Sequence, residues 1–323
     1  DILPDAMARE VVLGPDGRAA GVVFIDKTTG AENRANGRVV VLAAGSAESV
    51  RILLNSKSGR FPHGLANSSG LVGRRIMDTV GAALRGQIPL LENLPPHNED
   101  GAGGDHVYAP WWLYREQRAG RLDFPRGYHI EFGTGRQMPG LGVTSGLDAL
   151  TGGGSYGRRF KEEARRYYGS LIKFNGRGEM IPNDDSFCEL DPAVRDKWGI
   201  PVLRFHWKWS GHETRQAAHM QRTFAAIIEA MGGRLLEQPK ADGRDAISLG
   251  GAIVHEVGGA PMGADPETSV TNRWNQTWGV KNLFVTDGAP FVSNADKNPT
   301  LTIMALAWRA SDHLLDELKK GNL

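Results

Sequence analysis

The sequence predicts a mixed α/β (α+β) protein with an antiparallel sheet in its second domain. Three observations carry this: short β-branched runs broken by turn residues near the N-terminus, a strand–turn–helix unit at 39–55, and long amphipathic helices in the second half. At 323 residues and 40% hydrophobic content the chain can bury a sizeable core in two domains. The 38 basic and 37 acidic residues leave a net charge of +1, so neither nucleic acid nor a membrane surface is indicated as a partner. No apolar run approaches the ~18 residues of a membrane span. Cys188 is the single cysteine. It excludes a disulfide framework and a thiolate metal site within one chain, and it reads as a small buried residue. No metal site is expected. The start, Asp1-Ile2-Leu3-Pro4, reads as a strand already in progress, not a signal peptide, so a larger protein is expected to precede it.

In chain order, residues 8–43 read as a β-meander. Val11–Leu13, Gly21–Ile25 and Arg38–Leu42 are its strands, separated by Gly14-Pro15-Asp16-Gly17 and Lys27-Thr28-Thr29-Gly30. The third run is continuously apolar, so burial on both faces is expected. It ends in Ala43-Ala44-Gly45-Ser46, and a helix from Ser46 to Asn55 follows with Val50, Leu53 and Leu54 on one face. A strand, a small-residue turn and a helix let backbone N–H groups approach a phosphate or nucleotide, although a tight packing turn has the same sequence. Residues 86–155 are rich in Gly, Pro and aromatics, and long loops are expected there. Residues 156–168 read as a charged helix, Pro201–Trp207 as a strand, and 211–232 as an amphipathic helix burying Met220, Phe224, Ile227, Ile228 and Met231. The stretch Gly152-Gly153-Gly154-Ser155-Tyr156-Gly157 fits G-x-G-x-x-G. No apolar strand leads into it, so it is a loop and not a dinucleotide site.

Chemistry concentrates in the last 75 or so residues. Asn298 before Pro299 reads as a helix start, with Asn at the N-cap and Pro at the first helical position. Leu301, Met304, Ala305, Trp308 and Leu315 mark its expected buried face. Such a helix aims N–H groups and partial positive charge at whatever precedes it. Leu283-Phe284-Val285 reads as a buried strand ending at Asp287-Gly288. A carboxylate there can accept a hydroxyl hydrogen bond while the backbone approaches closely. His255 stands among glycines, and a neutral imidazole suits removal of an alcohol proton near pH 7. Each feature has a plainer reading: a local hydrogen-bonder, a cap, a turn former.

Together these segments resemble the glucose–methanol–choline (GMC) oxidoreductases. The resemblance rests on His-x-x-Gly-x-x-x-Met-Gly at 255–263, Asp265-Pro266, Asn-Leu-Phe-Val-x-Asp-Gly at 282–288 and Asn-Pro-Thr-Leu-Thr-Ile-x-Ala-Leu-Ala at 298–307. Val39–Ser56 is similar to the family's internal flavin-contact segment, and Gly70-Leu71-Val72-Gly73-Arg74 with Met77-Asp78 to the stretch after it. The resemblance implies a partial FAD-binding, Rossmann-like domain in 1–85 and 246–323, and a substrate-binding domain in 86–245. It implies FAD as cofactor, His255 and Asn298 as the active-site pair, and Ala44, Gly45, Asp287, Gly288, Pro299 and Thr300 as flavin contacts. It further implies oxidation of an alcohol or sugar substrate by hydride transfer to the flavin, as a dehydrogenase rather than an oxidase.

Gly-Gly-Ala-Pro-Met-Gly at 258–263 with Trp274-Asn275-Gln276-Thr277 looks most like the bacterial sugar branch, which includes gluconate 2-dehydrogenase large subunits and glucoside 3-dehydrogenases. The electron acceptor stays open between a cytochrome and a small subunit, as does the compartment. The family's N-terminal G-x-G-x-x-G unit is not in this sequence, so its adenosine-binding residues are expected outside it, and residues 1–323 alone are expected to hold FAD poorly. Two other readings stand beside this one: a truncated, inactive relic without flavin, and a different flavoprotein class such as an amine oxidase.

Overall fold

A computed structural model describes residues 1–95, 107–133 and 143–323. In chain order the elements are β1 (Ala6–Leu13), β2 (Ala19–Asp26), β3 (Glu32–Asn36), β4 (Val40–Leu42), α1 (Ser46–Asn55), β5 (Val80–Gln87), β6 (Val107–Ala109), α2 (Tyr114–Arg118), β7 (Tyr128–Gly133), α3 (Val143–Thr151), α4 (Gly157–Tyr167), β8 (Leu171–Gly178), β9 (Phe187–Arg195), β10 (Pro201–His206), α5 (Gly211–Ala230), β11 (Arg234–Leu235), α6 (Gly243–Ala246), β12 (Leu283–Val285) and α7 (Thr300–Lys319). They form two compact units. Unit 1 comprises 1–78, 180–208 and 250–323, and unit 2 comprises 79–179 and 209–249. The expected domain limits of 85 and 245 therefore differ from the unit limits chiefly at 180–208, which packs in unit 1.

Unit 1 contains the antiparallel meander β1–β2–β3, the β9–β10 hairpin and a parallel pair, β4 with β12. The meander's third strand is not the apolar run at 38–42. It is Glu32–Asn36, whose five residues are all exposed and polar or small, so no hydrophobic pattern marks it. The apolar run instead pairs with β12, in the register Val40 to Leu283, Val41 to Phe284 and Leu42 to Val285. Nor is it buried on both faces, since Val41 is 48% exposed. The core joins Val40, Leu42, Val50, Leu53, Leu283 and Val285, which ties the parallel pair to α1 and, through Val11 and Ala19, to the meander.

The last helix departs from expectation in the face it buries. Leu301, Met304, Trp308 and Leu315 are exposed, at 78%, 62%, 74% and 52%. Ile303, Leu306 and Ala310 point the other way and are the covered side. The helix has two apolar faces, and periodicity alone does not tell which one meets this unit's core.

Unit 2 holds one antiparallel sheet in the order β11–β5–β8–β7–β6. The long helix α5 packs on it through Met220, Phe224 and Ile228, all fully buried, with Phe224 stacked on Phe174 at 5.8 Å. Ser210 and Glu213 form a capping box that fixes its start. Met231, expected on the buried face, is 43% exposed beyond the helix end. The opposite face of β7 and β8 is polar and only partly buried. His129 and Glu131 are buried, and Glu131 joins His129 Nε2 at 3.1 Å and Arg177 at 3.3 Å. Within 86–155, expected to be loop-rich, β6, α2, β7 and α3 are formed, and Trp111, Phe124 and Tyr128 are buried aromatics. Residues 96–106 and 134–142 of that stretch lie outside the described residues. The 152–157 glycine motif follows a helix, not a strand.

Cys188 is buried in unit 1, and burial pushes its thiol up to about 12. Reactivity follows the thiolate, so iodoacetamide at pH 8 should leave folded protein unmodified at this position and label it on unfolding in guanidinium. Mass spectrometry of the 188 peptide reads this directly, and labelling before unfolding would refute the burial.

Candidate active site

Every candidate site residue named from the sequence lies in unit 1. Two strand ends build the centre. Past Val285, the Thr286 N–H donates to the Leu42 carbonyl at 2.8 Å, so β4 and β12 leave their pairing side by side. Parallel strands run the same way, and Ala44–Gly45 and Asp287–Gly288 are therefore delivered to the same end of the pair. Hydrogen bonds then join them. The Ser49 hydroxyl donates to Asp287 Oδ2, and the Ala289 N–H donates to Oδ1 at 2.9 Å. The Gly45 backbone also donates to this carboxylate. Ser49 Oγ in turn accepts the Ala44 N–H at 3.2 Å. Burial pushes the Asp287 carboxyl above its ordinary range, against the pull of the Ser49, Ala289 and Gly45 donors. Asp287 thus holds the β4–α1 turn, a role the sequence did not reveal.

His255 lies just before a strip of chain threaded between these parts. The Ser46 hydroxyl donates to the Gly258 carbonyl at 2.7 Å, and the Gly258 N–H donates to the Gly288 carbonyl at 2.9 Å. A Cβ on Gly258 would stand 2.3 Å from the Arg75 carbonyl oxygen, so only glycine lets the strip pass. One step earlier, Val257 and Met77 exchange N–H···O bonds of 2.9 and 2.8 Å. His255 is half-buried. Its N–H donates to Asp78 Oδ1 at 3.2 Å, and its carbonyl accepts from Asn294 Nδ2 at 3.1 Å.

Asn298 does not cap α7. The first helical bond runs from the Ile303 N–H to the Pro299 carbonyl at 2.9 Å, which makes Pro299 the N-cap, and no side chain caps the helix. The helix starts one residue later than expected, although Pro299 itself already has helical dihedrals, φ −78° and ψ −14°. Asn298 and Thr300 are exposed and Pro299 is buried. The start of α7 nonetheless reaches the centre: a Cβ on Gly288 would lie 3.6 Å from Ile303 Cδ1 and 3.4 Å from the Glu256 carbonyl oxygen. Ala44, Gly45, Asp287, Gly288 and the segment after His255 are thus one contiguous assembly, which Asn298 adjoins through the chain. Ser49, Asp78 and Asn294 complete it, and Asn282 anchors the other end of β12. Ser49, Asp78 and Asn282 stood inside the motifs without a role attached, and Asn294 carried no signal beyond lying near them.

Sequence models of the GMC oxidoreductase family match residues 1–86 (N-terminal part) and 182–307 (C-terminal part). The chain belongs to this family. It is 30% identical over 307 residues to 2-methyl-1,2-propanediol dehydrogenase of Mycolicibacterium austroafricanum, covering 93% of this chain and 51% of that protein. It is 28% identical over 326 residues to the fructose dehydrogenase large subunit of Gluconobacter japonicus, covering 99% and 55%. Among solved structures, an R554K formate oxidase from Aspergillus oryzae RIB40 superposes with a TM-score of 0.66 at 15% identity, over 99% of this chain and 61% of that one. The chain therefore spans about half the length of the curated relatives it matches.

GMC oxidoreductases bind FAD. The residues present fit such a group. Gly45 has φ +92°, which favours glycine, and a Cβ built there meets nothing within 4 Å, so the turn presents backbone to open space. Both α1 and α7 begin without a side-chain cap, leaving N–H donors for an anionic ring edge. Among the described residues no group of three or more His, Cys, Asp or Glu side chains could hold a metal ion, and no helix is long and apolar enough to cross a membrane.

The Asp287–Ser49 tie makes a stability prediction. Removing either partner orphans buried donors or acceptors, so Asp287→Ala and Ser49→Ala should each cost about 1–3 kcal/mol. Because they share one bond, the double variant should fall short of the sum by at least about 0.5 kcal/mol. Denaturant unfolding of the four proteins measures this, and strict additivity would show the contact to be idle.

Proposed function

We propose that the complete protein oxidises a CH–OH group of a sugar, sugar acid or glycoside, with His255 as the base and Asn298 as a second substrate contact. The observation that carries this reading is the convergence of the internal segment at 44–45, the 287–288 strand end and the strip after His255 on one assembly. FAD, when bound, supplies the acceptor for the hydride that leaves the carbinol carbon. The chain's own part is to hold and move the proton. A neutral imidazole at 255 takes it from the substrate hydroxyl as the C–H bond breaks, leaving a ketone or aldehyde. Asn298, free of any capping duty, has an amide that both donates to and accepts from a hydroxyl. The uncapped start of α7 offers partial positive charge where negative charge builds up.

We assign substrate binding to the domain expected at 86–245, most of which is unit 2. A dehydrogenase needs a separate electron acceptor. One relative is named as a large subunit, which supports a partner protein, a cytochrome or a small subunit, in that role.

His255→Ala in the complete protein should slow flavin reduction by alcohol by about 10²–10⁴-fold, the usual worth of a positioned base. The bound flavin's absorbance should be retained. Undiminished reduction would remove His255 from the role. Asn298→Ala should leave the unfolding free energy within the scatter of surface substitutions, about ±0.5 kcal/mol, and still lower kcat/KM. A variant with parent kinetics would reduce Asn298 to a linker residue.

A further inference from the structure

Beneath the loop that carries His255 lies a carboxylate that the proposed chemistry does not use. Asp78 is fully buried. Its Oδ2 accepts the Gly251 N–H at 2.9 Å and the Ile253 N–H at 3.3 Å, while its Oδ1 accepts the His255 N–H at 3.2 Å. A carboxylate is acceptor-only, and its oxygens can take several donors at once. Burying one is unfavourable unless the donors are there to meet it. The three N–H groups alternate along the chain, so the loop from 251 to 255 must wrap around the charge. The backbone shows the wrapping: Gly251 and Val254 both take left-handed φ values, +79° and +59°. For a β-branched valine that conformation is strained, and it persists only where surrounding contacts impose it. Val254 gains no burial in return, being 76% exposed. The strain therefore serves the loop's shape, and that shape ends at His255.

The other side of His255 is gripped as well. Asn294, 1% exposed, donates from Nδ2 to the His255 carbonyl at 3.1 Å. A bridge between Asn294 and Met180 seats that residue in turn. The peptide groups on both sides of the His255 Cα are thus fixed by buried side chains from two distant chain segments. Fixing both peptide planes fixes the Cα–Cβ direction, from which the imidazole projects. Misplacement of a reacting group by about 1 Å can lower a rate by about 10²-fold.

We propose that Asp78 and Asn294 are positioning residues for His255, a backbone clamp that sets where the imidazole stands. The proposal rests on His255 being the base. Asp78→Asn keeps one acceptor oxygen and the side-chain shape but loses the charge and the second acceptor. In the complete flavin-loaded protein it should lower kcat by about 10–10²-fold with KM within about threefold, and the flavin absorbance should stay unchanged. Introduced into His255→Ala, it should cause no further loss, because there is no imidazole left to place. Asn294→Leu, which releases the carbonyl side, should repeat the pattern, and it decides the matter on the same criteria if Asp78→Asn does not fold. Losses that multiply with His255→Ala, or a raised KM at unchanged kcat, would overturn the clamp while leaving His255 as base. An unchanged rate in His255→Ala alone would overturn the base, and the clamp with it.

Discussion

The side-chain amide of Asn282 holds three pieces of chain at once. Its oxygen accepts the Ala19 N–H at 2.9 Å, and its nitrogen donates to the carbonyls of Ala19 and Arg38, both at 2.7 Å. It is buried, so each bond replaces one that water cannot make. Asn282 immediately precedes β12, and Arg38 stands two residues before β4. The amide thus sets the register in which Leu283–Val285 lies parallel to Val40–Leu42. That pairing closes a loop of roughly 240 residues, at an entropic cost near 5 kcal/mol plus a constant. A three-residue strand pair cannot offset this by hydrogen bonds alone. The apolar packing of Val40, Leu42, Leu283 and Val285 on α1 must do so. Everything in the candidate site follows from that closure, because it places the 44–45 turn beside 287–288.

Two buried carboxylates then shape the surroundings by similar physics. Asp287 gathers the β4–α1 turn, and Asp78 gathers the loop before the 257 strip. Each is bonded to backbone N–H groups, Asp287 to the Ser49 hydroxyl as well. Each therefore acts on the backbone conformation of its neighbours. In this assembly both acids are engaged by the protein's own donors.

The sequence made the elements with strong periodicity legible: α1, the parent run of β10, α5 and the β12 core strand. It also pointed to the segments that meet at the site, because their motifs are dense and specific. It failed where partner choice decides. Nothing in Val40–Leu42 says that it pairs with a strand roughly 240 residues away and not with the adjacent meander. Nothing in Glu32–Asn36, all exposed, says strand at all. The apolar residues of α7 fall on two faces, and the sequence pattern favoured the one that stands exposed in unit 1. Asn298-Pro299 has the composition of a cap, but the register starts at the proline carbonyl.

We propose that this assembly serves the oxidation of a hydroxyl-bearing carbon. The most direct test is anaerobic mixing of the complete, flavin-loaded protein with a panel of polyols, sugars, sugar acids, glycosides and amines, followed at the flavin absorbance. Bleaching by at least one CH–OH donor is expected, slowed when the carbinol carbon carries deuterium, and none by amines. Bleaching by amines alone, or by no hydroxyl donor in the panel, would contradict it.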